Sequence, residues 1–388
     1  MVENVYHRLE EIYPEMVELR RDFHMYPELS HQEEITPEKI AEYLKSLGIE
    51  VKTGVGGRGV IGVLKGGKPG RTIALRADFD ALPIQEENDI DYKSRIPGVM
   101  HACGHDVHTA SLLGVAKVLS EVREEISGTV VFVHQFAEEA TPGGAHKMME
   151  DGCLEGVDVI YGAHVMSTEA FGSCTVKEGY FSSAQDDFHI KVYGKGGHGS
   201  EPHNTVDPLV TGSQLVVNLQ QIISRRVSPQ SAAALTVGSF HSGKATNVIP
   251  DTAVIKGTVR TYDREARDII EQSMKQIVKN TCEAAGAEVE MDYVRDCPSI
   301  WNDPEETKLV REKAVKLFGE NAVNTEEPMY GSEDFAFYQQ EVPGVYFTVG
   351  GGNPEIDAVY PHHHPKFKVD ERAMLHIGRM FIHLTLSS

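Results

Sequence analysis

Apolar residues recur at helical spacing over residues 4–21, at Val5, Leu9, Ile12, Met16 and Leu19, and predict an amphipathic helix there. The same spacing over 37–47 stops at Gly48, since glycine commonly follows a helix end. Two short apolar runs, Val60-Ile61-Gly62-Val63-Leu64 and Thr72-Ile73-Ala74-Leu75-Arg76, read as buried strands, with Asp78 and Asp80 just beyond the second. A long helix is predicted over 107–124, carried by Val107, Leu112, Leu113, Val115, Ala116 and Leu119, and a strand follows from Thr129 to Phe136. Helices alternating with apolar strands predict an α/β domain layered around a mixed central sheet.

From about Ala184 the period changes. Phe188, Ile190 and Val192 alternate with polar neighbours, as in a strand with one buried face. A helix from Asp207 to Arg226, strands near 232–240 and 252–260, a helix to about 285 capped by Asp263, and a strand over 287–294 complete the series. The order β-α-β-β-α-β is the split plan of a small ferredoxin-like sheet with two helices. The chain is therefore expected to hold a first domain of 1–184 and 296–388, interrupted by an α+β domain of 185–295. After Cys297 it offers a helix at 304–318, a strand at 345–349 and a final helix near 370–386.

Composition narrows the setting. The chain has 388 residues, 40% hydrophobic and 24% charged, enough for a large core and more than one domain. A net charge of −21 repels phosphate backbones, so no nucleic-acid partner is expected. Five scattered cysteines without a CxxC pair argue against a disulfide framework and for a reducing compartment. Met1-Val2-Glu3-Asn4 lacks the basic and apolar regions of a signal peptide, and no apolar run approaches the roughly 18 residues of a membrane span. A cytoplasmic location with no membrane partner follows as the expectation.

The densest chemistry is His101-Ala102-Cys103-Gly104-His105-Asp106. On an extended loop Cys103 and His105 would point the same way, with Gly104 letting the backbone bend between them. Thiolate and imidazole are both strong ligands for zinc-class ions. Glu138 and Glu139 follow a predicted strand. Adjacent extended residues point in different directions, so one can hold a metal while the other moves a proton. Spacing does not say which. His164 follows the apolar segment Val157 to Ala163, again at a predicted strand end, and His362-His363-His364 precedes Pro365. Three adjacent histidines cannot all reach one ion. Gly194 to Ser200 is glycine-rich but lacks the order of a phosphate loop; its glycines would let His198 project from the small domain's edge. Asn247 and Arg260 lie in the same domain, and Arg260 can take a carboxylate bidentately. Dispersed ligands of this kind describe a metal site assembled by folding, suited to metal-assisted hydrolysis.

These residues occur in runs that resemble the M20 metallopeptidase clan, in particular its amidohydrolase branch of N-acyl-amino-acid, hippurate and auxin-conjugate hydrolases. The runs are Leu19 to Ser30, Leu75 to Pro83, Met100 to Asp106, Ala137-Glu138-Glu139, Gly196 to His203, Gly331-Ser332-Glu333-Asp334-Phe335 and His363-His364-Pro365-Lys366-Phe367. The resemblance implies two divalent ions per subunit, of the Zn, Mn, Co or Ni type. Cys103 would bridge or ligate, and His105, Glu139, His164 and His363 would complete the ligands. Glu138 would be general base and acid, Asp80 would orient a ligand, and His198 would stabilise the oxyanion from a partner subunit. Asn247 and Arg260 would hold the substrate carboxylate, and the inserted domain would be lid and homodimer interface. Phe136 stands where this branch often has proline, and His362 and His364 are less common neighbours of the last ligand. The implied activity is amide hydrolysis of N-acyl amino acids or related small conjugates, with dipeptidase or carboxypeptidase action as the near alternative. A cysteine hydrolase using Cys103 and His105, or a binding protein that has lost catalysis, are the more distant ones.

Overall fold

The computed structural model describes residues 2–325, 329 and 331–386. The chain divides into two compact units: Met1–Phe181 with Ile300–Pro328 and Asp334–Ser388, and Ser182–Ser299 with Met329–Glu333.

The larger unit is built on a mixed sheet of eight strands. In spatial order they are Glu50–Val55, Gly59–Lys65, Ser127–Gln135, Lys68–Asp78, Val159–Ala170, Gly344–Gly352, Cys174–Thr175 and Val323–Asn324. The four central strands, from Ser127–Gln135 to Gly344–Gly352, run parallel. Central parallel strands are covered on both faces and therefore read as continuous apolar runs; all but the last residue of Gly344–Gly352 is buried. The edge strand Glu50–Val55 escapes the hydrophobic pattern because it is mostly exposed, with only Val55 buried. Helix His105–Glu121 is buried along almost its whole length. The helix expected over 4–21 is two helices, Val2–Glu11 and Tyr13–Met25. Pro14 lies in the first turn of the second, where the missing N–H has no helical partner to lose.

One expectation changes here. His164 is not at a strand end: its strand runs on to Ala170, because Gly344–Gly352 continues alongside it with Thr348 opposite His164. The register that sets Arg76 opposite Gly162 carries Asp78, two residues on, level with His164.

The smaller unit is a four-stranded antiparallel sheet in the order Ala233–Ser242, Thr252–Thr261, Ala184–Tyr193, Glu288–Arg295. With helices Pro208–Arg225 and Arg264–Ala284 between strands it has the ferredoxin-like order. Alternate residues of Ala184–Tyr193 are buried, and Phe188, Ile190 and Val192 pack with Leu215, Leu219, Ile270 and Met274 into one apolar core. Gly257 is required there: a Cβ would stand 2.1 Å from the Thr236 carbonyl and 2.3 Å from the Phe188 ring. Asp263 caps its helix as expected, accepting from the backbone N–H of Ala266, and Asp207 caps the other, accepting from those of Leu209 and Val210.

Candidate metal centre

The parallel strands deliver Asp78, Gln135 and the residues that follow them to one edge of the large sheet, the carboxyl end where ligands bind in open α/β sheets. Gly104 takes φ 97° as the N-cap of helix His105–Glu121, and a Cβ on it would lie 2.5 Å from the Val165 side chain. This corrects the extended-loop expectation: Cys103 is on the loop, and His105 opens the helix. They still converge, because the left-handed glycine turns the chain between them.

Hydrogen bonds fix the tautomers. His105 donates Nδ1–H to Asp80, at 3.0 Å to its carbonyl and 3.1 Å to Oδ1. Its Nε2 faces the other donors; it is buried with no hydrogen-bond partner among the described residues, 3.9 Å from Glu139 Oε1 and 4.0 Å from Glu138 Oε2. His164 donates Nδ1–H to the Val165 carbonyl at 2.8 Å, leaving Nε2 3.4 Å from Cys103 Sγ. His363 Nε2 lies 3.0 Å from Glu139 Oε1, and its backbone N–H donates to the Ala102 carbonyl at 2.8 Å. Asp80 Oδ2 accepts the Glu139 backbone N–H at 3.1 Å and the Ser30 hydroxyl at 2.7 Å. One carboxylate thus holds His105 with one oxygen and Glu139 with the other.

Two donor groups result. Cys103, His105 and Glu139 offer atoms within 4.8 Å of one another, and so do Cys103, His164 and His362. The sulfur is common to both. A third group of His105, His108 and His164 meets the same distance test, but His108 has no nitrogen to spare. Its Nδ1 is 2.6 Å from Asp78 Oδ1, and its Nε2 accepts the Val165 N–H at 2.9 Å. His108 locks the sheet edge.

Burial and the neighbouring carboxylates dominate the electrostatics of these donors. Burial pushes the Cys103 thiol well above its usual range, and Glu139 and Glu138 push it further. Burial alone would lower His105, but Asp78, Asp80 and Glu139 outweigh it and push it up to about 10. The donor chemistry fits divalent ions: a thiol, imidazoles and carboxylates converge, and the buried His105 Nε2 among them has no hydrogen-bond partner among the described residues. Beneath the site lies a buried charge network that sequence reasoning did not find. Arg76 binds Asp78 at 2.6 Å, Gln135 at 2.9 Å and Asp334 at 3.0 Å. Arg20 and His24 each lie 2.8 Å from Asp106, and His24 reaches Glu86 at 3.2 Å. For His108 a signal existed: it is one helical turn from His105, on the same face.

The remaining candidates belong to the smaller unit. His198 is exposed on the two-residue strand Gly197–His198, opposite Val248, with Nδ1 2.7 Å from the Ser200 hydroxyl. Asn247 is exposed on the same hairpin, its carbonyl accepting the Gly199 N–H at 2.9 Å. Arg260, on strand Thr252–Thr261, donates to Gln185 at 2.5 Å. Asp80, Cys103, His105, Glu138, Glu139, His164 and His363 all lie in the larger unit.

A sulfur shared between two donor groups, flanked by a second glutamate at a parallel-sheet edge, defines the site of a metallohydrolase. Residues 74–386 match the model of Peptidase family M20/M25/M40, and the chain belongs to that family. It is 45% identical over 291 residues to the N-acyl-L-amino acid amidohydrolase of Geobacillus stearothermophilus, covering 75% of this chain and 79% of the relative. It is 40% identical over 375 residues to thermostable carboxypeptidase 1 of Saccharolobus solfataricus, covering 96% and 94%. The crystal structure of the Bacillus subtilis YXEP protein, a dinuclear metal binding peptidase from the M20 family, superposes with a TM-score of 0.85 at 35% identity, covering 97% and 98%. The protein is a hydrolase acting on amide bonds. Among the described residues no helix is long and apolar enough to cross a membrane.

Proposed function

We propose that the chain hydrolyses the amide bond of N-acyl amino acids, such as N-acetyl amino acids, or of related small conjugates. Two divalent ions of the Zn, Mn, Co or Ni type would be held by Cys103, His105, Glu139, His164 and His363. When bound, such ions polarise an amide carbonyl and acidify water. The observation that carries this reading is the pair of donor groups meeting at one sulfur, Cys103 with His105 and Glu139 and Cys103 with His164 and His362; His363 reaches the set through Glu139 Oε1 at 3.0 Å, and Glu138 Oε2 is 4.0 Å from His105 Nε2.

The chain's own groups do the rest. Glu138 takes the proton of the attacking water and returns it to the leaving amine. Asp80 holds His105 in the tautomer that presents Nε2, as carboxylates do for ligating imidazoles, and anchors the backbone of Glu139. His198 stabilises the developing oxyanion, while Asn247 and Arg260 take the substrate carboxylate. The homodimer is assigned to the inserted unit of residues 185–295, whose helix Pro208–Arg225 exposes Val210 and Val217, two turns apart on one face. Five free, buried cysteines support a cytoplasmic setting.

Cys103 acting as nucleophile is the poorer reading, because reactive thiols need a lowered pKa and this one is raised. Carboxypeptidase action is favoured by one specific observation, the likeness to the S. solfataricus enzyme. The test is release of free amino acid from a panel of N-acyl amino acids and dipeptides by metal-reconstituted enzyme. Turnover of the acyl series ahead of the dipeptides is the expected result; the reverse order assigns the peptidase activity instead.

A further inference from the structure

Glu33 is a carboxylate in the interior, fully buried, outside the ligand set and far from it in sequence. Its Oε1 accepts the backbone N–H of Ala137 at 2.9 Å. Its Oε2 is buried without a hydrogen-bond partner, and the nearest cation, Arg58 Nε, stands 4.0 Å away. Leaving a buried carboxyl oxygen unsatisfied is costly. A methionine would fill that volume without the cost, but it would leave the Ala137 N–H with no acceptor.

Ala137 is the residue that needs one. It sits at φ 48°, the left-handed region that alanine disfavours, immediately before Glu138 and Glu139. Both of its backbone groups are held: the N–H by Glu33, and the carbonyl by the Gly144 N–H at 2.9 Å. The left-handed turn redirects the chain that carries both glutamates as it leaves the strand. The segment that carries Glu33 is fastened to the same place by other bonds. Ser30 donates to Asp80 at 2.7 Å, the Ala81 N–H donates to the Glu28 carbonyl at 2.9 Å, and His31 meets Phe136 edge-on at 5.9 Å.

We propose that Glu33 is a positioning residue of the hydrolytic reaction: its buried carboxyl fixes the turn at Ala137 and so sets where Glu138 and Glu139 point. The proposal rests on the roles given to those two glutamates above. Burial pushes the Glu33 carboxyl up to about 7, with Asp80 contributing. The N–H acceptor is present in either charge state, so an amide can replace it.

The experiment compares Glu33→Gln, Glu33→Met and Glu33→Ala with the parent enzyme, at saturating zinc and in zinc titrations against a chromogenic chelator. Misplacing catalytic groups by about 1 Å can cost around a hundredfold in rate, and loss of an orienting partner roughly 10–100-fold in activity or metal affinity. Glu33→Met is expected to lose about 10–100-fold in kcat, with KM within about threefold, and to bind zinc about tenfold more weakly as Glu139 loosens. Glu33→Ala is expected to follow it, and Glu33→Gln to stay within about threefold of the parent in both readouts. Parental kcat and zinc affinity in Glu33→Met overturns the proposal, and so does a Glu33→Gln as impaired as Glu33→Met. Glu138→Gln runs beside them as a control on the underlying reading. Turnover by that variant removes the assigned role of Glu138, whereas an inactive Glu138→Gln beside a fully active Glu33→Met removes only the role of Glu33.

Discussion

The two units bury different things. The interior of the larger one encloses Arg20, His24, Glu33, Arg76, Asp78, Asp80, His105, Asp106, His108 and Gln135, all nearly inaccessible. The smaller one buries Phe188, Ile190, Val192, Leu215, Leu219, Ile270 and Met274, with Asp186 and Arg267 as its buried ion pair. Its chemically active candidates, His198 and Asn247, are on the surface. Desolvated charge is expensive unless paired. The larger unit therefore sustains a costly interior, in which Asp80 holds His105 directly and Arg76 reaches it through Asp78. The smaller unit confines that cost to Asp186 and Arg267 and otherwise has the core of an ordinary α+β fold. One interior is organised around chemistry, the other around stability.

Breaking the comparison on the chemical side should give the largest effect. Glu138→Gln keeps shape but cannot accept a proton, and kcat should fall about 10²–10⁴-fold with metal content unchanged on elemental analysis. Next comes the charge network. Arg20→Met leaves buried Asp106 with His24 as its remaining partner, which should cost up to about 3–5 kcal/mol in urea unfolding and lower metal affinity as well, because Asp106 follows His105 directly. In the smaller unit, Leu219→Ala should cost about 2–5 kcal/mol and leave metal affinity untouched. A fall in affinity there would show that the two interiors are not separable.

Acid stability sharpens the contrast further. Burial lowers His134 to about 3, against roughly 6.5 in an unfolded chain. Below about 6.5 the unfolded state takes up a proton that the folded state refuses. Stability should then fall with falling pH by about 1.4 kcal/mol per unit for this group, down to its folded value. Comparison of metal-free parent and His134→Gln by urea unfolding at several pH values between 6 and 4 should show that slope removed in the variant. The smallest effect belongs to the exposed pair Lys279–Glu283, 3.8 Å apart on the small unit's helix; Lys279→Ala should change stability by no more than about 0.5 kcal/mol.

Much of this contrast could be read from residue order. Alternation marked the small sheet, and continuous apolar runs marked the parallel strands, because burial on one face or two leaves different periods. The strand Glu50–Val55 left no such mark, being mostly exposed. His164 was placed at a strand end because its apolar run stops there, whereas hydrogen bonding to Gly344–Gly352 continues beyond it. The ligand candidates were visible as residue types at strand ends. The groups that hold them were not. Arg76, Asp334 and Gln135 meet across 258 and 199 positions of chain, and Glu33 meets Ala137 across 104. Nothing local records such contacts. Within His362-His363-His364, spacing could not divide the labour; the fold sets His363 on Glu139 and His362 beside Cys103 and His164.

The proposed reading needs the Cys103 sulfur, which lies in both donor groups, to hold metal. Elemental analysis of metal-reconstituted parent and Cys103→Ala, taken with rates of N-acyl amino acid hydrolysis, tests it most directly. Two ions per chain and full activity are expected in the parent, with loss of bound metal and of turnover in Cys103→Ala. Two tightly held ions and undiminished turnover in Cys103→Ala would contradict it.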